Sequence, residues 1–543
     1  MKRFKLFLAM AALACAIGLT VKYGSTYRPV VEPVREIEEI WALEDAREES
    51  GEPLVTRLFC NGVPMAYDAE NNVFYGSLGL ENGAQWPEIK LTASEEAAKG
   101  LSLCFADDYG FDDCDAAIRE GYSYQIFAYT DTAYSYAEVV FTGLPLVNVT
   151  AEQTIEREDV PAQIEIALAA EGMQTNGRIH KRGGASILND KVGYKLEFTR
   201  TTDGKKKIYR EIPGMGTDSQ VILLPMNALD TTMMRDRLSW ALYARLTRRD
   251  EPFSARKTQY CELFLNGEYR GVYLMLEPFS VRQEVAKAGE ERLTTDSVYR
   301  TAVISLSHGR PCMEDPYSAA TGFELYYPMD GEPDFSPLAD YFALLGETDD
   351  AAFMRRAAQI IDLDSALRYD VVLQLFGLTD NVINNMYTWA QNSRGHTRYR
   401  FDFWDLDVSW GLKRDEIGEM HENWVFFPLV DRLLRADEEG GVRKRYGEIY
   451  REVREKAFDA ETVEALVGQY AHELNDSGAM ARNADRWETE NYTADGYELV
   501  AFAAERIALL DEPVRAMSAG EEIDLRFLEK TNYDDKGTPL TEE

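Results

Sequence analysis

Histidine and cysteine are scarce in this 543-residue chain, five and six respectively, and no two cysteines stand at C-x-x-C spacing. That excludes a disulfide framework and argues strongly against a zinc site. Cys60, Cys104 and Cys114 share one region and could pair after export, but as small apolar side chains they suit a core equally well. Positive charge is the other shortage. Lys and Arg total 58 against 94 Asp and Glu, a net charge of −36. A surface that negative repels phosphate backbones, so nucleic-acid binding through a broad basic face is excluded. Disorder as the dominant state is excluded as well, because 45% of the residues are hydrophobic and 11% aromatic.

The N-terminus is organised differently from the rest. Lys2, Arg3 and Lys5 precede an uncharged run from Leu6 to Val21, followed by Lys22. The run is short for a membrane span and suits the apolar part of a signal peptide. Ala12-Leu13-Ala14-Cys15 loosely resembles a lipoprotein cleavage box, although the apolar run continues past Cys15. The expectation is export, with residues 1–25 acting as signal peptide or as membrane or lipid anchor.

Residues 26–53 are charged and read as a linker with a short helix around Glu36–Arg47. From 54 to 145, short β-rich runs such as Val73–Tyr75, Tyr124–Tyr129 and Ala137–Phe141 alternate with Gly, Asn and Asp turns. That pattern predicts a small β-sandwich-like domain with a binding or spacer role. Further on, Gly177–Ser186 is a basic, glycine-containing loop between two strands. In the second strand Tyr194, Leu196 and Phe198 share one face, and Lys195 and Glu197 the other. Leu238, Leu242 and Leu246 recur every four residues, as one helix face requires. Asn266-Gly267 then marks a tight hairpin, because both positions accept positive φ, and Pro278 ends its second strand at Glu277.

The most informative cluster lies between 364 and 413. A helix from Asp364 to about Gly377 leads to Asp380 and Asn385, with four residues between them. Strand-like runs Met386–Ala390 and Arg398–Phe403 follow, and the second leads into Trp404-Asp405-Leu406-Asp407. Asp, Asn, hairpin, Asp is the layout of phosphoryl-transfer sites in protein kinases, where the first Asp meets the acceptor hydroxyl and the other two hold Mg²⁺. Helix capping and Asx-turns explain Asp380 or Asn381 singly. They do not explain three spaced polar groups set among Phe and Trp.

Taken together, Arg182–Ser186, Tyr194-Lys195-Leu196, Leu265–Tyr273, Asp380 with Asn385, and Trp404–Asp407 resemble the CotH kinase family over roughly residues 145–515. The resemblance implies an α+β, atypical protein-kinase-like bilobal fold, with a β-rich small lobe over 146–280, a helical large lobe over 281–515 and an acidic tail over 516–543. It implies binding of ATP with Mg²⁺ or Mn²⁺ and phosphorylation of Ser or Thr on secreted, coat or cell-surface proteins. Carried over by position, Asp380 is the catalytic aspartate, Asn385 and Asp405 hold the metal, and Asp407 is the alternative to Asp405. Lys195 is the phosphate lysine with Lys191 as competitor, Arg182 belongs to the nucleotide loop, and Glu277 stands where a hinge residue meets adenine. The insertion Ser305–Asp315, with His308 and Cys312, is expected to be a surface loop.

The chain departs from the family pattern in two places. Gly184-Ala185 interrupts the usual Arg-Gly-Asn-Ser loop, and Lys191-Val192-Gly193 replaces a Lys-Lys-Pro run. In addition, Thr231–Leu246 contains no Glu to pair with the strand lysine, only Asp236. Two alternatives to an active enzyme are a coat or surface scaffold that keeps the fold without turnover, and an adhesion module acting through 54–145.

Overall fold

The computed structural model describes residues 29–33, 35–84, 89–94, 100–106, 113–183, 185–226, 230–247, 255–302, 322–328, 334–412, 424–425, 427–488, 492–521, 532–533 and 539–540. The N-terminal segment with Cys15, and the Ser305–Asp315 insertion, lie outside the described residues. The chain is α+β throughout.

In the N-terminal part, a three-stranded sheet (Leu58–Cys60, Val63–Pro64, Leu91–Ala93) accompanies a larger one built around Ser123–Tyr129 and Ala133–Thr142. Side chains of both, among them Leu58, Leu91, Phe74, Ile126 and Val139, form one apolar core. Cys60, Cys104 and Cys114 are buried and not joined in disulfides, the core role open to them from sequence. Residues 29–53, read above as a linker, differ from that expectation. Val31–Glu32 pairs in parallel with Ser102–Phe105, and Glu48–Glu49 with Ala133–Thr142, flanking a helix over Ile37–Asp45. Strands of two residues leave no periodicity to read.

Seven strands over 146–276 close into a barrel, the first (Leu146–Thr150) pairing in parallel with the sixth (Thr258–Leu265). Alternation sets its lining: Tyr194, Leu196 and Phe198 point inward to its core while Lys195 and Glu197 do not. Register places His180 opposite Lys195 and Arg182 opposite Gly193. The last two strands meet at Asn266-Gly267, whose φ values of 55° and 78° are those of a left-handed tight turn. Leu238, Leu242 and Leu246 are all buried, the first two on the helix Arg235–Ala244 and Leu246 just beyond it.

The C-terminal half is not purely helical. A four-stranded antiparallel sheet, in the order Phe323–Tyr327, Ser297–Ala302, Asn384–Ser393, His396–Phe403, is packed among the helices Leu363–Phe376, Gly441–Lys456 and Tyr497–Ala519. Asp362 caps the first of these helices and Gly377, at φ 66°, ends it. The last runs past residue 515, into the expected tail. No helix of the described residues is long and apolar enough to cross a membrane.

Helix Ala479–Trp487 seals this half onto the barrel. Arg482 makes two parallel bonds to Glu262, Nε to Oε1 at 2.9 Å and Nη2 to Oε2 at 2.8 Å. Asn483 Oδ1 accepts the Val272 amide at 3.0 Å. Gly271, at φ +87°, allows that approach, since a Cβ there would stand 2.4 Å from Asn483 Oδ1. Burial alone would raise the Glu262 carboxyl, but Arg482 overrides it and holds the group below its ordinary value.

Two predictions follow from these buried charges. Arg482→Ala leaves Glu262, fully buried, without its counter-charge. It should cost about 3–5 kcal/mol in urea unfolding, and the double variant E262L/R482M should lose much less; a cost under about 1 kcal/mol for R482A sinks the argument. Asp370 and Asp431, both fully buried, repel one another in the helical core. Burial pushes Asp370 up to about 7 against the hydrogen bonds of Tyr446 and Gln374. The folded state therefore holds that proton more tightly than the unfolded chain, and the stability it contributes is full below pH ~4 and lost as pH rises through about 7. Asp370→Asn should flatten this decline in a pH series of melting temperatures. An unchanged slope rules it out.

Candidate active site

Asp380 opens a single helical turn, Asp380–Ile383, just after the Gly377 stop. Its carboxylate is 3% exposed. Asn385 Nδ2 donates to Oδ2 at 2.7 Å and Asn384 Nδ2 to Oδ1 at 3.2 Å. Asn385, at φ 56°, starts the hairpin strand with its carboxamide nitrogen committed to Asp380. Its Oδ1 accepts no hydrogen bond among the described residues.

The other end of the hairpin is joined to this turn through the backbone. Trp404 N–H donates to Asn385 O at 2.9 Å. The carboxamide of Asn381, fully buried, donates to Asn385 O at 3.2 Å and to Trp404 O at 2.8 Å. One side chain thus clamps the segment before the hairpin to the segment after it, which brings Asp380, Asn385 and Asp405 into one region. Asp405 follows at φ 57°, a left-handed conformation that a non-glycine residue adopts only when its surroundings fix it.

Helix Arg235–Ala244 supplies those surroundings. Leu406 N–H donates to Asp236 Oδ1 at 3.3 Å, Arg235 Nε to Ser409 O at 3.1 Å, and Trp410 Nε1 to Ser239 Oγ at 2.8 Å. Arg235 is itself held by Asp230 and Glu498. From the barrel, the Arg182 guanidinium stacks over the Trp404 ring, 5.6 Å from its centroid. Burial, then the charge of Asp405, push Asp236 up to about 8 against the pull of the Leu406 amide and Arg182.

The remaining sequence candidates separate. Lys195 stands half-buried opposite His180, with no hydrogen bond or ion pair among the described residues. Burial and then Lys207 lower it, and Arg182 adds to the effect. Lys191 is consumed in packing. Its ammonium donates to Val272 O at 2.6 Å and Asn483 Oδ1 at 2.9 Å above the Tyr273 ring, and burial lowers it well below the ordinary lysine value. Glu277 lies just past the last barrel strand, where its Oε2 accepts the Lys257 amide at 3.1 Å. The structure joins neither Lys191 nor Glu277 to the Asp380 cluster.

Sequence reading missed the clamp by Asn381, because nothing in a run of asparagines marks which one turns inward. It noted Asp236 only as the acid in a helix lacking Glu. The structure aims that acid at the Asp405 loop, with no ion pair to Lys195.

No group of three His, Cys, Asp or Glu side chains able to hold a metal occurs among the described residues. The donors here mix carboxylates with a carboxamide, a hard-oxygen set that fits Mg²⁺ or Mn²⁺ and not zinc. The unpaired Asn385 Oδ1 and the like-charged Asp236 and Asp405 are features that such a cation satisfies. The lysines give a direct test of packing against function. Lys191→Ala should cost about 1–3 kcal/mol, because Val272 O and Asn483 Oδ1 each lose a buried donor. Lys195→Ala should change stability by no more than about 0.5 kcal/mol. Equal melting temperatures for the two variants contradict this division.

A family model described as CotH kinase protein matches residues 179–510. The interval runs from the barrel strand of Arg182 into the last long helix and holds every residue of the cluster. No curated protein matches the chain. Since the match spans more than half of its length, the chain belongs to the CotH kinase family.

Proposed function

We propose that this protein transfers the γ-phosphoryl group of ATP, bound with Mg²⁺ or Mn²⁺, to Ser or Thr hydroxyls of secreted, coat or cell-surface proteins. The observation that carries the reading is the clamping of Asp380, Asn385 and Asp405 into one region, with Arg182 reaching it from the barrel. In this reading the barrel is the small lobe, residues 281–515 are the large lobe, and the nucleotide lies between them. The N-terminal run Leu6–Val21 supports action after export.

Asp380, fixed by two carboxamide donors, remains an acceptor and takes the proton of the attacking hydroxyl. That oxygen bonds to the γ-phosphorus as the bond to the β–γ bridging oxygen breaks, and ADP departs. Asn385 and Asp405 would hold the divalent ion, whose positive charge would offset that of the phosphates. Arg182 and Lys195, neither ion-paired among the described residues, supply the cations for the phosphate oxygens. Glu277 is the hinge candidate for adenine. Lys191, already engaged, is set aside.

Incubating the purified protein with labelled ATP, Mn²⁺ or Mg²⁺ and exported proteins of its host tests the reading. Asp405→Ala should abolish both metal-dependent nucleotide binding and transfer. Asp380→Ala should bind nucleotide almost normally and lower turnover about 10²–10⁴-fold, the usual contribution of one general base. A folded Asp380→Ala variant with normal transfer would falsify the assignment.

A further inference from the structure

The first turn of helix Arg235–Ala244 holds a carboxyl group that its role in packing does not require. Asp236 is 6% exposed, and among the described residues only its Oδ1 is hydrogen-bonded, to the amide that follows Asp405. No Lys, Arg or His among the described residues forms an ion pair with it. Asp405 and Asp230 both disfavour its ionised form, and Arg182, which favours it, is stacked on the Trp404 ring. Asparagine would accept the Leu406 amide equally well without that repulsion. Nor does the loop need Asp236 to stay in place, since Arg235 holds Ser409 O and Ser239 holds Trp410 from the same helix. What the carboxyl adds is a second oxygen beside the Asp405 loop, one that can release its proton to a cation.

Across the loop there is a second, independent surplus of acceptors. Asn381 is fully buried, and its Oδ1 has no hydrogen-bond partner among the described residues. Its Nδ2 is committed to the Asn385 and Trp404 carbonyls, so the carboxamide cannot turn over without losing both bonds. Asn385 likewise keeps Oδ1 open. Oxygen acceptors without donors thus stand near Asp405 from two separate elements, which calls for a cation and not for another hydrogen bond.

We propose that Asp236 is an additional oxygen ligand of the divalent ion held by Asn385 and Asp405. The ion would then be shared between the helix packed on the barrel and the loop leaving the hairpin, and binding it would tie the two together. The inference rests on the phosphotransfer reading for the presence of the ion, and its test separates the two.

The test measures Mn²⁺ binding to the purified full-length protein, by electron paramagnetic resonance of free Mn²⁺, without nucleotide or turnover. Asp236→Asn keeps the acceptor for the Leu406 amide and removes only the ionisable oxygen. It should raise the Mn²⁺ dissociation constant at least about tenfold, the lower end of what losing even an outer partner of a metal site costs, and erase the Mn²⁺-induced rise in melting temperature. Asp236→Glu, which restores the carboxyl, should recover part of the affinity. Asp405→Asn is the control. If it weakens Mn²⁺ binding while Asp236→Asn binds as the wild type does, Asp236 is no ligand and the phosphotransfer reading stands. If neither change affects Mn²⁺, the ion is not at this loop and both fall. Should Asp236→Asn not fold, Asp236→Ser, which also keeps an acceptor, is measured with the same expected and overturning results.

Discussion

The buried ion pair between Glu262 and Arg482 joins the three parts of this protein. Glu262 belongs to the barrel and also accepts from the Tyr269 hydroxyl at 2.7 Å. Arg482 belongs to a helix of the C-terminal half and also donates to Ser477 O at 3.1 Å. That same carbonyl accepts Thr142 Oγ1 from the N-terminal part at 3.2 Å, and Arg482 lies 6.0 Å from the Tyr75 ring centroid. Two charges taken fully out of water are tolerated only when paired with good geometry and further hydrogen bonds. The pairing therefore couples barrel, helices and N-terminal sheet in one arrangement. The N-terminal part is a buttress by this evidence, whatever else it binds. Tyr75 stacks on Tyr269 at 5.7 Å, and Ala66, Val73 and Val140 share a core with barrel residues Leu146 and Phe264.

On the rigid body so formed, the candidate site is assembled from short-range carboxamide chemistry. Asparagine offers a donor and an acceptor on one short arm, so three in the run 381–385 can do three different things. Asn381 holds two carbonyls together, while Asn384 and Asn385 orient Asp380 from its two oxygens. Every one of these bonds lies within a hairpin's reach of the helix end at Gly377. The site's internal geometry is thus decided locally. Only its approach to Arg182 and Asp236 depends on how the barrel sits.

That difference explains what could be read from the chain alone. The helix ending at Gly377, the hairpin leading into Trp404 and the Asn266-Gly267 turn were legible because periodicity and turn chemistry are local signals. The hairpin also accounts for Asp380, Asn385 and Asp405 lying in one region, because it returns the chain to the turn it left. The strand at Glu48–Glu49 was not legible, because two charged residues pair with Ala133 and Tyr134 for reasons that lie in the partner. Lys191 and Lys195 were indistinguishable by sequence. Four residues apart, one is committed to a carbonyl and a carboxamide more than eighty residues distant, and the other is left unpaired opposite His180. Asp236 was visible only as an acid in the wrong place for a lysine partner, since its neighbour Leu406 is 170 residues away.

The missing glutamate in helix Arg235–Ala244 then has a physical explanation. In protein kinases the pair between a strand lysine and a helix glutamate aligns two lobes that otherwise move. Here the barrel is already fastened to the C-terminal half by Arg482 with Glu262, by Asn483 with Val272 and Lys191, and by Trp487 Nε1 on Arg270 O at 3.1 Å. A lysine–glutamate pair from helix Arg235–Ala244 would add little to parts already bonded at several points. The helix uses its first turn on the Asp405 loop instead, through Arg235, Asp236 and Ser239. Lys195 correspondingly has no ion pair among the described residues. In the folded chain, helix Ala479–Trp487 fastens the barrel to the C-terminal half, and helix Arg235–Ala244 holds the loop after Asp405.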